Sequence, residues 1–138
     1  KEHETRSWAT KYRGPIAIHA AKKQFKAKDF PGIEPHLFAE ALKLPDTDGF
    51  NTLPHGCIIA VAELVGCHEI LLHGGRGLSS NSPGWIKKGY GEIYEPTKQE
   101  LAFGDWTWGR FAWEFANVEM LDITIPCKGQ RQLFEVDV

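Results

Sequence analysis

The chain has 138 residues, of which 42% are apolar and 25% charged; these are the fractions of a packed domain and exclude a disordered chain or a fibre. No run approaches ~18 apolar residues, so no membrane-spanning helix is expected. The formal charge of −2 conceals an asymmetry: residues 1–28 hold eight Lys/Arg and two Glu, a balance of +6, and residues 29–138 hold eight Lys/Arg and sixteen Asp/Glu, a balance of −8. That split directs the search for a polyanion site to the N-terminal fifth.

In chain order, His3 to Ala9 mixes Thr, Arg, Ser and Trp without helical periodicity and predicts a strand with a polar face. Thr10 to Pro15 is a turn, punctuated by Gly14-Pro15. Ile16 to Ala20 predicts a short strand, and Lys22 to Lys28 a basic helical turn or solvated arm. After Pro31-Gly32, the residues Ile33, Leu37, Phe38, Ala41 and Leu42 fall on one stripe at spacings of three and four, which predicts a helix ended by Pro45. Asp46 to Pro54 reads as a loop. Cys57 to Val65 is the clearest strand, with Glu63 interrupting its apolar run. Gly74 to Gly84 is a Gly/Ser-rich surface loop, and residues 85–101 carry no clear signal. Gly104 to Gly109 is a turn; Arg110 to Phe115, Leu121 to Ile125 and Gln132 to Val138 predict three more strands. The tally of five or six strands with one or two helices points to a single α+β domain over residues 1–138, with a curled sheet or small barrel.

Several chemistries are disfavoured. Cys57, Cys67 and Cys127 are odd in number and unpaired in spacing, which favours a reducing, cytoplasmic compartment over a disulfide framework. No Cys-x-x-Cys occurs, and His68 and His73 lie five apart, not the four of a helical metal pair, so neither a metal nor another cofactor is expected. Gly74-Gly75-Arg76-Gly77 fits no phosphate-loop spacing, and Ser79, Ser80 and Ser82 lack a nucleophile elbow. The five tryptophans are mostly expected in the core, but Trp106 and Trp108 flank Thr107 in a Gly-rich turn, where an exposed indole would stack on an unpaired base. Trp8 is open to either role.

The densest polar cluster is Lys1, Glu4, Arg6, Trp8, Lys11 and Arg13. On a strand, Glu4, Arg6 and Trp8 share a face because side chains alternate. Such a face is either a solvated ion pair beside an exposed ring or a groove in which Arg meets phosphate and Glu orients it.

Five blocks in order resemble the ASCH domain family of the PUA-like superfamily. They are Lys1-x-x-Glu4-Thr5-Arg6-Ser7-Trp8; Tyr12 to Lys22; Gly56 to Leu64; Phe103-Gly104-Asp105 with Gly109 to Trp113; and Ile125-Pro126-x-Lys128-Gly129-Gln130 with Leu133-Phe134. The resemblance implies a small, mostly antiparallel β-barrel with flanking helices and a cleft that binds RNA or nucleotides. The positions it places in the cleft are Lys1, Glu4, Arg6, His19, Lys22, Gly109 and Arg110, with Trp8 and Lys128 beside them. Family members carry a strand and short helix before the Lys. Their lack here, with no starting Met, predicts an upstream piece. One bacterial branch hydrolyses acetylated cytidine with a Lys, a Thr and a Glu. Aligned on Lys1 and Arg6, the Thr position is Glu4, and Thr5 points to the opposite strand face, so that mechanism is disfavoured.

Two functions follow as expectations. The first is a module binding RNA, single-stranded nucleic acid or a nucleotide, with Arg6, Lys11, Arg13, Lys22, Arg110 and Lys128 on phosphates and Trp8 or Trp106 on a base. The alternative is a hydrolase on nucleosides or RNA (an amidohydrolase or a ribonuclease), with Lys1 or Lys22 as base or charge stabiliser, Glu4 or a buried Glu63 as acid/base, and His19 as proton shuttle.

Overall fold

Along the third strand, Ile58, Ala60, Ala62, Leu64, Gly66 and Ile70 are buried, while Glu63, Val65 and Glu69 face solvent. This period of two is the pleat of a strand with one face on a core. The computed structural model describes residues 2–23, 35–44, 52–71, 85–88 and 92–137. Lys1, the basic stretch 24–28, Ile33, the loop over 46–51, the Gly74–Gly84 loop and the side chains of Leu37, Phe38 and Trp85 lie outside the described residues.

The elements are β1 (His3–Arg6), β2 (Gly14–Ala20), α1 (Pro35–Ala41), β3 (Cys57–Leu71), β4 (Trp85–Lys88), β5 (Glu92–Tyr94), α2 (Lys98–Ala102) and β6 (Phe111–Pro126). The strand order is β1-β6-β3-β4-β5, with β2 paired to β3. β1 runs antiparallel to β6, β3 to β4, and β4 to β5. Few helices on a largely antiparallel sheet is the α+β arrangement expected, and among the described residues no pairing closes β5 onto β1. No described helix is long and apolar enough to cross a membrane.

The chain divides into two units: residues 1–14 with 63–116, and residues 15–62 with 117–138. In the first, Ile70 (0% exposed), Trp106 and Ala112 form the core, against which Tyr94 and Leu101 pack. Thr97 caps the N-terminus of α2, its hydroxyl accepting the Glu100 N–H at 3.2 Å. In the second, Ala39, Cys57, Ile58, Ala60 and Ala62 are buried. There the Gly56 N–H donates to the Ala20 carbonyl at 2.8 Å, and the Cys127 N–H to the Gly56 carbonyl at 3.1 Å.

Several expectations are corrected. The N-terminal strand stops at Arg6, short of Trp8. The third strand runs on past Val65 to Leu71. The strands expected at Arg110–Phe115 and Leu121–Ile125 are one strand, β6, which continues through Asn117 at φ 51; Asn tolerates this left-handed conformation better than most residues. The strand expected from Gln132 does not form over the described residues 132–137, where Gln132 takes φ 62 and Leu133 is exposed. Ala41 and Leu42 on the expected helix stripe are exposed, and Ala39 is buried in their place.

Ile70→Ala should destabilise the protein by about 2–5 kcal/mol, the range for emptying a fully buried aliphatic site. Urea unfolding checks this, and a loss below about 0.5 kcal/mol, the size of a surface substitution, would remove Ile70 from the core.

Candidate functional site

The pairing of β1 with β6 sets His3 opposite Glu114, Glu4 opposite Trp113, Thr5 opposite Ala112 and Arg6 opposite Phe111. Alternation then buries His3 (1% exposed) and Thr5 and turns Glu4 and Arg6 outward. The expected common face of Glu4 and Arg6 is therefore present. Their charged atoms lie 3.7 Å apart, and the Arg6 side chain is 51% exposed. A pair this solvated contributes at most about 1 kcal/mol, so the guanidinium can exchange partners at little cost.

Thr5 faces the other way, as its parity requires. Its hydroxyl is buried and accepts the Asp105 N–H at 3.0 Å. That bond holds the turn after α2 against β1. Arg110 secures the same turn: its Nε donates to the Asp105 carbonyl at 3.1 Å and lies 3.5 Å from Asp105 Oδ2, and its Nη2 donates to the Thr5 carbonyl at 3.3 Å. Expected on phosphate, Arg110 thus directs two of its donors at backbone carbonyls and acts as a positioning residue. Gly109 takes φ 86, a conformation that favours glycine, and donates its N–H to the Ile70 carbonyl at 3.1 Å.

Within the turn, Asp105 Oδ1 accepts from both the Thr107 amide and the Thr107 hydroxyl. The Thr107 hydroxyl bond foremost holds the Asp105 carboxyl below its ordinary value; partial burial opposes it, and the amide bond and the Arg110 charge add lesser downward effects.

The tryptophans separate clearly. Trp106, expected as a possible stacking ring, is buried at 6% exposure, and its indole Nε1 donates to the Glu100 carbonyl at 2.8 Å; it is not open to a base. Trp8 meets Trp113 edge-on, with ring centroids 4.7 Å apart, and its carbonyl accepts the Trp113 indole N–H at 3.2 Å. Trp8 is therefore half-buried packing. Trp108 is the exposed ring of the turn, at 62%.

Lys11 and Arg13 are exposed, and Arg13 Nη1 donates to the Thr10 and Tyr12 carbonyls at 3.1 and 2.7 Å. Glu63 is exposed on the outer parity of β3, which removes the buried acid proposed for a hydrolase. In the second unit, His19 Nε2 donates to the Cys127 carbonyl at 2.8 Å. Lys22 and Lys128 are exposed. The expected cleft residues thus divide between the two units, with Lys1 outside the described residues.

Two side-chain clusters escaped sequence reasoning. His3 stacks at a tilt on Tyr94 (5.1 Å) and edge-on to Trp106 (5.7 Å), and its Nδ1 lies 3.8 Å from Glu100 Oε2. Glu100 Oε1 accepts the Glu2 N–H, a charge-assisted bond that offsets part of the cost of burying the carboxylate. Burial, then the charges of Glu100, Glu2 and Glu114, push the Tyr94 hydroxyl above its ordinary value. The Thr97-x-x-Glu100 spacing is a helix-start signature that would have pointed here. The second cluster is His68 Nε2 on Glu114 Oε2 at 2.7 Å. The pair passes over Gly66, where an added Cβ would stand 2.5 Å from His68 Nε2 and 3.1 Å from Glu114 Oε2. No local pattern joins residues 46 positions apart.

Gly66→Ala should cost about 1–3 kcal/mol, as overpacking does, and much less in a His68→Ala background, where the ring it meets is gone. Equal losses in both backgrounds by denaturant unfolding would reject the steric account. Thr107→Ala should raise the Asp105 titration midpoint toward the ordinary carboxylate value, read by NMR. A lowered carboxyl stabilises the fold above its unfolded-state value near 3.9 and loses that contribution as pH falls through the folded value. The variant should therefore lose its turn at a higher pH than the native chain. Among known proteins, the chain matches no family model and no curated sequence.

Proposed function

We propose that this chain is a PUA-like module of the ASCH type, with the sheet curled toward a small barrel, that binds RNA or another single-stranded nucleic acid. The carrying observation is the set of exposed cations in the N-terminal segment: Arg6, in a solvated ion pair with Glu4, with Lys11 and Arg13 following it. Phosphate contacts of this kind supply salt-sensitive affinity without reading sequence. In the second unit, Lys22 and Lys128 offer further exposed cations. The ordered motifs from Lys1 to Phe134 support the fold assignment, and the antiparallel sheet with few helices is compatible with it. Three free thiols agree with a reducing, cytoplasmic setting.

The hydrolytic alternative has less support. Glu63 is solvated, the Thr5 hydroxyl is buried as an acceptor, and His19 Nε2 is committed to a backbone carbonyl. These are groups that the reaction would need poised on a substrate.

Titration of a short single-stranded RNA at two salt concentrations tests the binding reading. Affinity should fall as salt rises, and Arg6→Ala and Lys11→Ala should each weaken binding and lower the slope of log K on log salt by roughly 0.7, the contribution of one single-strand phosphate contact. Absence of binding by the native protein at low salt overturns the proposal.

A further inference from the structure

We infer that Trp108 is the stacking surface for one unpaired base of a single-stranded nucleic acid. The inference rests on the nucleic-acid reading above and adds which side chain meets the base. Trp106 and Trp113 are buried and Trp8 packs on Trp113, whereas Trp108 presents 62% of its surface to water. Burying an indole is among the largest apolar gains open to a small domain, and the fold leaves this one outside.

The backbone that carries the ring is fixed on both sides. Before it, the Asp105 N–H is bound to the Thr5 hydroxyl, Thr107 is bound twice to Asp105, and the Trp106 indole is anchored in the core. After it, the Gly109 N–H meets the Ile70 carbonyl at 3.1 Å, and the Arg110 N–H meets the Thr107 carbonyl at 3.2 Å. An aromatic ring on a turn already ordered loses little conformational entropy when it binds. A Cβ added at Gly109 would meet no atom within 4 Å beyond its chain neighbours, so the turn next to Trp108 is uncrowded on that side.

Charge selects among planar ligands. Arg6 closes β1 opposite Phe111, three residues along the chain from Trp108, and its exposed guanidinium is a phosphate partner at the same end of the β1–β6 ladder. A base supplies the π-face and its backbone the anion, and stacking of this kind tolerates any base.

The test compares native protein, Trp108→Ala, Trp108→Phe and Arg6→Ala on short oligouridylate, its deoxyuridylate counterpart, and an abasic oligonucleotide of the same length. Trp108→Ala should weaken binding of both base-bearing strands by roughly 5- to 150-fold, the effect of losing one stacked base, with the salt slope unchanged. Trp108→Phe should retain most of the affinity. The abasic strand should bind native and Trp108→Ala proteins equally weakly. If Trp108→Ala binds like the native protein while Arg6→Ala is weakened, the stacking role is overturned and the cationic site stands. A Trp108→Ala loss confined to RNA overturns base stacking in favour of a ribose contact. If the native protein binds none of the strands at low salt, both readings are overturned.

Discussion

Four residue pairs between β1 and β6, from His3 opposite Glu114 to Arg6 opposite Phe111, are the constraint on which the first unit depends. Strand parity leaves no freedom once that register is set: one residue of slip would bury Arg6 and expose His3. The register is held at one end by the Phe115 N–H on the Glu2 carbonyl at 2.9 Å. At the other end, Thr5 and Arg110 bind the turn over 105–110. The same ladder therefore supplies the core with His3 and Thr5 and the surface with Glu4 and Arg6.

Beneath the ladder, the Glu100 side chain is buried. A charged oxygen removed from water needs compensation. The Glu2 amide supplies part of it, and the His3 ring stands beside it. Burial, with the nearby carboxylates, favours the neutral form of Tyr94, whose ring packs on His3. The inward parity of His3 separates this cluster from the cations of the outer face.

Much of the site was legible locally. The shared face of Glu4 and Arg6, and the opposite orientation of Thr5, needed only the period of two. So did the burial of Ile58 and Leu64. The same rule applied along β3 places Glu63 outside, yet Glu63 reads as a buried acid because its outward neighbours Val61 and Val65 are apolar too. Composition masked parity there. The end of the chain misled for a related reason: Gln132 to Val138 alternates like a strand, but a strand needs a neighbour's hydrogen bonds, and none is visible in local sequence.

By itself the sequence determined the α+β character, the basic N-terminal fifth, the strand faces of residues 3–6, and a turn bearing two tryptophans. Each of these rests on near neighbours in the chain. Only the tertiary structure decided that Trp106 is core and Trp108 is surface, that Arg110 supports a turn, and that His68 meets Glu114 over Gly66. Those outcomes depend on which residues from distant segments arrive beside them. The turn's sequence is nearly symmetric about Thr107, and the difference between its two indoles comes from the Glu100 carbonyl and the Ile70 core waiting on one side of it alone.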